Sequence, residues 1–234
     1  MPSVQSGETE AMFVYVPARQ RRVFRWATPL LVIACVAVFC WLALAAPEAR
    51  YAVLAHWGTV PSHLFDRHHP FSGWPWLRLF TALFMHADWL HLVGNILFLV
   101  IFGFSAERAL GGQRFLLLFL LGGAFANVIG ALTLSGTNAP IVGCSGAVSA
   151  VVGAYLALFP RAHLGLVLPL GLYFEFVRVP AWLMIGTWAL LQLLFTLAGP
   201  SFGTVVWWAH VAGFGFGIVF AFLSRGAVMR RLRT

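Results

Sequence analysis

Four polar side chains in three apolar segments have the types and the spacing that acyl-transfer chemistry requires. They are Ser145, His210, His91 and Asn95. The first three each lie about 15 to 17 residues before an arginine, which corresponds to about 22–26 Å of helical rise. If these arginines mark one face of a membrane, all four groups lie inside a hydrocarbon core about 30 Å thick. Polar groups at that depth are costly, and they are functional-site candidates for that reason.

Ser145 and His210 are the candidates for a nucleophile and its general base. Ser145 lies in Gly143-Cys-Ser-Gly146 at the start of a short apolar segment, where the unpaired N–H groups of a helix N-terminus could bind an oxyanion. Rows of small residues in both segments would let two helices approach closely: Gly146, Ala150 and Ala154 after the serine, and Gly213, Gly217 and Ala221 after the histidine. We therefore expect Ser145 within hydrogen-bond reach of His210, which would remove its proton during attack.

Alternatives exist for each of these assignments. Ser145 alone could be an interhelical hydrogen-bond donor, and the neighbouring Cys144 is a rival nucleophile that would point about 100° away around the helix. No carboxylate is suitably placed to complete a triad, because the nearest, Asp88, begins the second apolar segment rather than facing His210. The sequence therefore predicts a Ser–His dyad by exclusion.

His91 and Asn95 are the candidates for an oxyanion hole. They are four residues apart and share one helix face, and both side chains can donate hydrogen bonds to a developing negative charge. They could instead be buried interhelical donors, or His86, His91 and His210 could bind a metal. The metal hypothesis lacks a His-Glu-x-x-His pattern and a nearby acidic ligand, so we expect neither a metal nor an organic cofactor.

The composition is that of a membrane protein. Hydrophobic residues make up 61% of the 234 residues, charged residues make up 9%, and the mean hydropathy is +0.87. We predict an all-α bundle of six transmembrane helices with a long, structured, interfacial first loop over 47–87. The predicted spans are 27–46, 88–106, 114–134, 145–159, 180–198 and 206–224. Residues 164–177 are apolar but short and contain Pro169; they are interpreted as an interfacial segment, with a seventh span as the alternative.

The basic residues indicate the orientation of this bundle. All 15 are arginine, and all except Arg50, Arg67 and Arg78 lie on one side of the predicted membrane. This bias places both termini in the cytosol, with a tail at 1–26, a membrane domain at 27–225 and a basic tail at 226–234. The net charge of +8 is thus a topology signal, and the absence of a basic stripe elsewhere argues against nucleic-acid binding. The first apolar run is too long for a typical signal-peptide core, and we interpret it as an uncleaved helix.

Together these motifs resemble the rhomboid family of intramembrane serine proteases, over residues 27–225. The family's His-His-Asn signature is similar to His86, His91 and Asn95, and its Gly-x-Ser-Gly motif to Gly143, Ser145 and Gly146. Its Ala-His-x-x-Gly-x-x-x-Gly stretch is similar to the segment from Ala209 to Gly217, which includes His210 and Gly213. The Glu-Arg pair that closes its second span is similar to Glu107 and Arg108.

The resemblance implies roles for these residues. Ser145 would be the nucleophile and His210 the base, with Asn95, His91 and the Ser145 amide in the oxyanion hole. His86 would brace the first loop, and Arg78 would help to hold that loop. One departure concerns the catalytic histidine: relatives often place an aromatic residue against it, four residues after the nucleophile, where this chain has Ser149.

The expected function is therefore intramembrane endoproteolysis of single-span membrane proteins near the outer side of the bilayer. The expected setting is a bacterial cytoplasmic membrane, with the lipid bilayer and the substrate helix as partners. The oligomeric state does not follow from the sequence. The alternatives are a non-catalytic rhomboid-like protein that binds membrane clients, and a channel or transporter, for which charged residues along the bundle centre or paired broken helices would be expected.

Overall fold

The structure is a computed structural model that describes residues 24–64, 73–170, 173–198 and 207–233. Helices predominate within these residues. The elements in chain order are α1 (Ala27–Ala43), α2 (Pro47–Trp57), α3 (Pro61–Leu64), α4 (Gly73–Thr81), a 3-10 turn (Ala82–Phe84), α5 (Trp89–Leu110), α6 (Gly112–Thr133), α7 (Ser145–Leu158), β1 (His163–Leu170), β2 (Tyr173–Pro180), α8 (Ala181–Ala198) and α9 (Trp207–Arg233).

Each predicted apolar segment corresponds to a helix, although the helices differ in length. Among the described residues, three are long and apolar enough to cross a membrane: Trp89–Leu110, Gly112–Thr133 and Trp207–Arg231. Three more are apolar but shorter: Ala27–Ala43, Ser145–Leu158 and Ala181–Leu194. Many large apolar side chains on these helices face outward, including Leu90, Leu117, Leu190 and Leu223. So much exposed apolar surface is rare in a soluble monomer, and the chain is an integral membrane protein with a helical bundle.

Over its described residues, the connection between α7 and α8 contains β-strands and not a seventh membrane-spanning helix. The two strands, β1 and β2, pair antiparallel from His163 opposite Pro180 to Leu170 opposite Tyr173. A helix is disfavoured here because Pro169 lacks a backbone N–H, and the valine and aromatic residues of Tyr173–Pro180 favour strands. A seventh helical span is therefore wrong, and the all-α prediction needs this one exception.

The first loop is structured over its described residues, as predicted. Thr59 exchanges two backbone hydrogen bonds with Ile141, at 3.0 and 2.8 Å, and this tie joins the loop to the connection before α7. The Thr59 hydroxyl donates to the Arg78 carbonyl oxygen at 3.0 Å, and the Arg78 guanidinium lies 3.0 Å from His63 Nδ1. Arg78 therefore joins α3 to α4, and its part in holding the loop stays a prediction. Contact of the loop with the membrane interface stays a prediction.

The buried core surrounds α7, which has ten buried residues from Gly146 to Tyr155. Large side chains from α1, α5 and α6 fill the space around it, among them Phe39, Leu99 and Phe119. The N-terminus of α1 is held by a hydrogen-bonded carboxylate. The buried Glu107 side chain accepts hydrogen bonds from Ala27 N, at 2.8 Å, and from Thr28 N, at 2.9 Å. The Thr28 hydroxyl donates to it at 2.7 Å. A negative charge at a helix N-terminus is favourable, so Glu107 locks α1 to the end of α5.

Candidate active site

Close packing between α7 and α9 positions the site. A Cβ added at Gly213 would overlap the backbone carbonyl of Gly146, and one added at Gly217 would overlap the carbonyl of Ala150. The predicted facing rows of small residues are therefore confirmed at these two levels. Because neither glycine has a side chain, the two backbones touch, and the first turns of both helices are held side by side.

The same packing brings Ser145 and His210 together. Their Oγ and Nε2 atoms are 2.8 Å apart, within the range of an O–H···N hydrogen bond. Ser145 is the first residue of α7, so the unpaired N–H groups at the start of this helix lie beside its hydroxyl. This is the geometry in which a histidine can remove the proton of an attacking serine.

The other ring nitrogen of His210 contacts α8. His210 Nδ1 lies 2.9 Å from Gln192 Oε1, so the amide oxygen accepts a hydrogen bond when Nδ1 carries the proton. The remaining nitrogen, Nε2, is then the acceptor for the Ser145 hydroxyl. The edge of the Trp207 ring also packs against the histidine, with ring centroids 5.9 Å apart.

A small cavity of about 140 Å³ opens beside these groups. Its lining combines polar groups that could hold water with apolar walls: Asn95, Phe98, Ser145, Val148, Ser149, Trp188, Gln192 and His210. The Ser149 hydroxyl donates back to the Ser145 carbonyl oxygen at 2.8 Å. The helix that begins here, α7, has 14 residues and is therefore about 21 Å long, shorter than a hydrocarbon core of about 30 Å. If its far end reaches one face, the site lies below the other.

The segment before α7 is shaped by Gly143. This residue has φ +109°, a conformation that side chains disfavour, and an added Cβ would lie 2.6 Å from His91 Nε2. Its N–H donates to the Ala82 carbonyl oxygen at 2.9 Å. His91 therefore packs directly over the backbone two residues before Ser145, and it is not among the residues that line the cavity. Its part in an oxyanion hole stays a prediction.

Asn95 lies closer to the reacting groups. It lines the cavity, and its amide Nδ2 donates to the His91 carbonyl oxygen at 2.9 Å. A side-chain amide carries two N–H donors, so a second one remains for an oxyanion. The start of α5 is set by Asp88, whose carboxylate accepts from the His91 backbone N–H at 2.8 Å in an N-cap arrangement.

Cys144 and His86 form a separate buried contact. The Cys144 sulfur lies 3.5 Å from His86 Nε2 and is almost fully buried, so it points away from the Ser145–His210 pair. His86 is fully buried, and its ring centroid lies 5.2 Å from that of His91. Burial, followed by the nearby His91, lowers the pKa of His86 to about 4. His86 is therefore neutral near pH 7 and contacts Cys144, next to the start of α7; its part in bracing the first loop stays a prediction. Among the described residues, no group of three or more His, Cys, Asp or Glu side chains could hold a metal ion.

Gln192 is the site residue that sequence reasoning missed. The sequence has no suitably placed carboxylate as a third group, whereas the structure brings a neutral amide to His210 Nδ1. A signal was available, because Gln192 is the one amide in the apolar stretch Ala181–Ala198, and polar groups inside membrane helices are functional candidates. Ser145 and His210 are 65 residues apart in the sequence, and the facing rows of small residues were the sequence feature that predicted their contact.

Fold and site together define a class: a helical integral membrane protein with a serine–histidine pair at the buried start of a short helix. The family model of the Rhomboid domain matches residues 73–226, which is more than half of the chain. The chain therefore belongs to the rhomboid family.

Several curated proteins are similar to parts of this chain. Rhomboid-like protein 11, chloroplastic, of Arabidopsis thaliana is 44% identical over 73 residues, which are 31% of this chain and 26% of the relative. A candidate rhomboid protease of Bacillus subtilis is 37% identical over 81 residues, 35% of this chain and 40% of the relative. Inactive rhomboid protein 1 of Drosophila melanogaster is 34% identical over 86 residues, 37% of this chain and 6% of the relative. The matched segments thus span less than half of each relative.

Proposed function

We propose that this protein is an intramembrane serine endopeptidase. The observation that carries the proposal is the 2.8 Å contact between Ser145 Oγ and His210 Nε2 at the N-terminus of α7. A serine alone is a weak nucleophile at neutral pH, and an adjacent base is what activates it. Family membership supports the same activity, and the candidate rhomboid protease of Bacillus subtilis supports it further.

In the proposed reaction Ser145 Oγ forms a bond to the substrate carbonyl carbon while His210 Nε2 takes the hydroxyl proton. The developing oxyanion is stabilised by N–H donors at the start of α7 and by Asn95 Nδ2; loss of one such donor typically costs about 10²–10³ in rate. When the C–N bond breaks, His210 returns the proton to the leaving amine. Water then attacks the acyl-enzyme by the same route, and the polar groups that line the cavity offer it hydrogen-bond partners.

The proposed substrates are single-span membrane proteins whose helix is locally unstable near the outer face. A peptide bond inside a stable helix is enclosed by the helix itself, so local unwinding is needed before Ser145 can reach the carbonyl. The proposed location is a bacterial cytoplasmic membrane with both termini in the cytosol. The arginine distribution supports this orientation.

A second candidate function is non-catalytic binding of membrane clients. The similarity to Inactive rhomboid protein 1 of Drosophila melanogaster favours it. The two candidates differ in one chemical property, because only a protease needs an activated serine.

A fluorescent fluorophosphonate probe, applied to the detergent-solubilised protein, separates the two candidates. We expect labelling of the wild type and of Cys144→Ala, and none of Ser145→Ala or His210→Ala. Cys144→Ala is the matched control, because this thiol is the neighbouring nucleophile and contacts His86 instead of His210. A folded wild type that does not label would contradict the protease proposal and favour client binding.

A further inference from the structure

Helix α8 is almost entirely apolar and contains one amide side chain, Gln192. Gln192 is half-buried, lines the cavity and places Oε1 2.9 Å from His210 Nδ1. Neighbouring leucines on the same helix, Leu191 and Leu194, are exposed. An amide held in a membrane helix has a desolvation cost, and here its oxygen contacts the second nitrogen of the same imidazole that bonds to Ser145.

We propose that Gln192 is a positioning residue that holds His210 in its reactive tautomer. The proposal rests on the proposed protease function and adds a third member to the Ser145–His210 pair. The two nitrogens of a neutral imidazole are distinct: one donates and the other accepts. With the Nδ1 proton bonded to Gln192 Oε1, the lone pair is on Nε2, facing the Ser145 hydroxyl. The opposite tautomer would direct an N–H at Ser145 and could not take its proton.

The use of an amide has a physical reason in this fold. None of α7, α8 and α9 carries an aspartate or glutamate, and an ionised carboxylate at this depth would be expensive to desolvate. A neutral amide oxygen accepts the same hydrogen bond without a buried charge. An asparagine amide orients the histidine in the same way in Cys-His-Asn proteases.

Ser149 is a small residue near the contact between Gln192 and His210. It lines the same cavity as Gln192 and His210, and its short side chain bonds back to the Ser145 carbonyl oxygen. Ser149 therefore contributes little side-chain volume to the cavity that His210 lines. Support for the imidazole comes from α8 through Gln192 and from the edge of Trp207.

The electrostatic surroundings of His210 are simple enough for a pH test. Among the described residues, the titratable group that acts on it is His91 from α5. Helices α7 and α8 carry no Asp, Glu, Lys or Arg, and the arginines of α9 begin at Arg225, four turns beyond His210. A change at position 192 should therefore alter the pH dependence of the site directly.

The test measures the rate of fluorophosphonate labelling between pH 5 and 9 for three variants. Gln192→Met keeps the length of the side chain and removes the acceptor, and Gln192→Glu keeps an acceptor and adds negative charge. Leu194→Ala is the matched control, because Leu194 is exposed on the same helix. We expect Gln192→Met to lower the maximal rate about tenfold, the value of one hydrogen bond, with the half-saturating probe concentration within about twofold of wild type because the bond acts in the reaction step.

The two substitutions should also move the acid limb of the profile in opposite directions. The acceptor stabilises the protonated imidazole, so the limb should move to lower pH in Gln192→Met and to higher pH in Gln192→Glu. Leu194→Ala should match wild type in both respects. A residue that only packs α8 against α9 would change thermal stability and leave the acid limb of Gln192→Met in place. That result, or a Gln192→Met rate equal to wild type, would overturn the proposal.

Failure of the proposed function is distinguishable from failure of this inference. If folded wild type does not label, the protease proposal fails. The ¹⁵N spectrum of histidine-labelled protein, with His210 assigned by its loss in His210→Ala, then reports the tautomer without any reaction. An Nδ1–H tautomer in wild type that becomes mixed in Gln192→Met supports the positioning contact, and an unchanged tautomer rejects it.

Discussion

At the scale of single residues, the site depends on a backbone conformation at Gly143 that strongly favours glycine. Gly143 has a positive φ and lies directly under the His91 ring, while its N–H is held by the Ala82 carbonyl oxygen. Ser145 follows Gly143 by two residues. A shift of the backbone at Gly143 would therefore move the hydroxyl relative to His210 and the N–H groups at the start of α7.

Gly143→Ala should therefore abolish or strongly reduce fluorophosphonate labelling. Its new methyl group would lie 2.6 Å from His91 Nε2, and the positive φ adds about 1–2 kcal/mol of strain. Labelling rate and thermal unfolding of the purified protein in detergent would be measured together.

Gly136→Ala is the control for this substitution. Gly136 has a similar conformation, φ +84°, but an added Cβ would have no neighbour within 4 Å. It should share the strain and keep the labelling rate. Equal labelling in both variants would show that the contact with His91 does not position Ser145.

At the scale of elements, the reacting pair is a consequence of how α7 packs on α9. Ser145 and His210 are both in the first turns of their helices, and no covalent link or short loop holds them together. The distance between their side chains is set by backbone contacts further along, at Gly213 on Gly146 and Gly217 on Ala150. Helices in lipid associate through such close packing because the hydrophobic effect does not favour one apolar neighbour over another.

Gly217→Ala should separate these two helices and lower both stability and labelling. Its Cβ would overlap the backbone carbonyl of Ala150, which cannot rotate away as a side chain could, and overpacking of this kind costs about 1–3 kcal/mol. The melting temperature in detergent and the labelling rate are the measurements.

Gly215→Ala, on the same helix, provides the comparison. A Cβ at position 215 meets nothing within 4 Å, so this variant should keep wild-type stability and labelling. If Gly217→Ala behaves like Gly215→Ala, the helix pair is more adaptable than the packing indicates, and the α7–α9 contact does not set the Ser145–His210 distance.

At the scale of the whole molecule, the arrangement follows from the bilayer. The outward faces of the helices are apolar, and the polar groups of the site are gathered around the start of a helix too short to cross the core. Arginines cluster next to the ends of the apolar helices, at Arg25, Arg108, Arg114 and Arg225. By the positive-inside rule, this distribution predicts that the face with these arginines is cytosolic.

Reporter fusions test the orientation. Green fluorescent protein joined after Thr234 should fluoresce, because the positive-inside bias places this end in the cytosol. Alkaline phosphatase joined after Asn138, in the connection between α6 and α7, should be active on the opposite side. The reverse pattern would contradict the predicted topology and would place the site near the cytosolic face.

Much of this arrangement could be predicted from the sequence because polar residues are conspicuous in apolar helices. Ser145 and His210 stand out by their depth together with His91 and Asn95. The small-residue rows then indicate which helices touch, since glycine and alanine allow close helix packing in many membrane bundles. Hydropathy likewise predicts six apolar segments, although only three of the resulting helices are long enough to cross a membrane by length and composition within the described residues.

Only the tertiary structure decided how the site is completed. On hydropathy, residues 164–177 could be an interfacial segment or a seventh span, because hydropathy does not record hydrogen bonding. In the structure, residues 164–170 and 173–177 lie in two paired antiparallel strands. Gln192 is 18 residues from His210 on another helix, and a lone amide does not indicate which helix it faces. The rotation of α8 about its axis determines that the Gln192 oxygen meets His210 Nδ1. That rotation depends on packing against both α5 and α9, where Trp188 contacts Phe98 and Phe214.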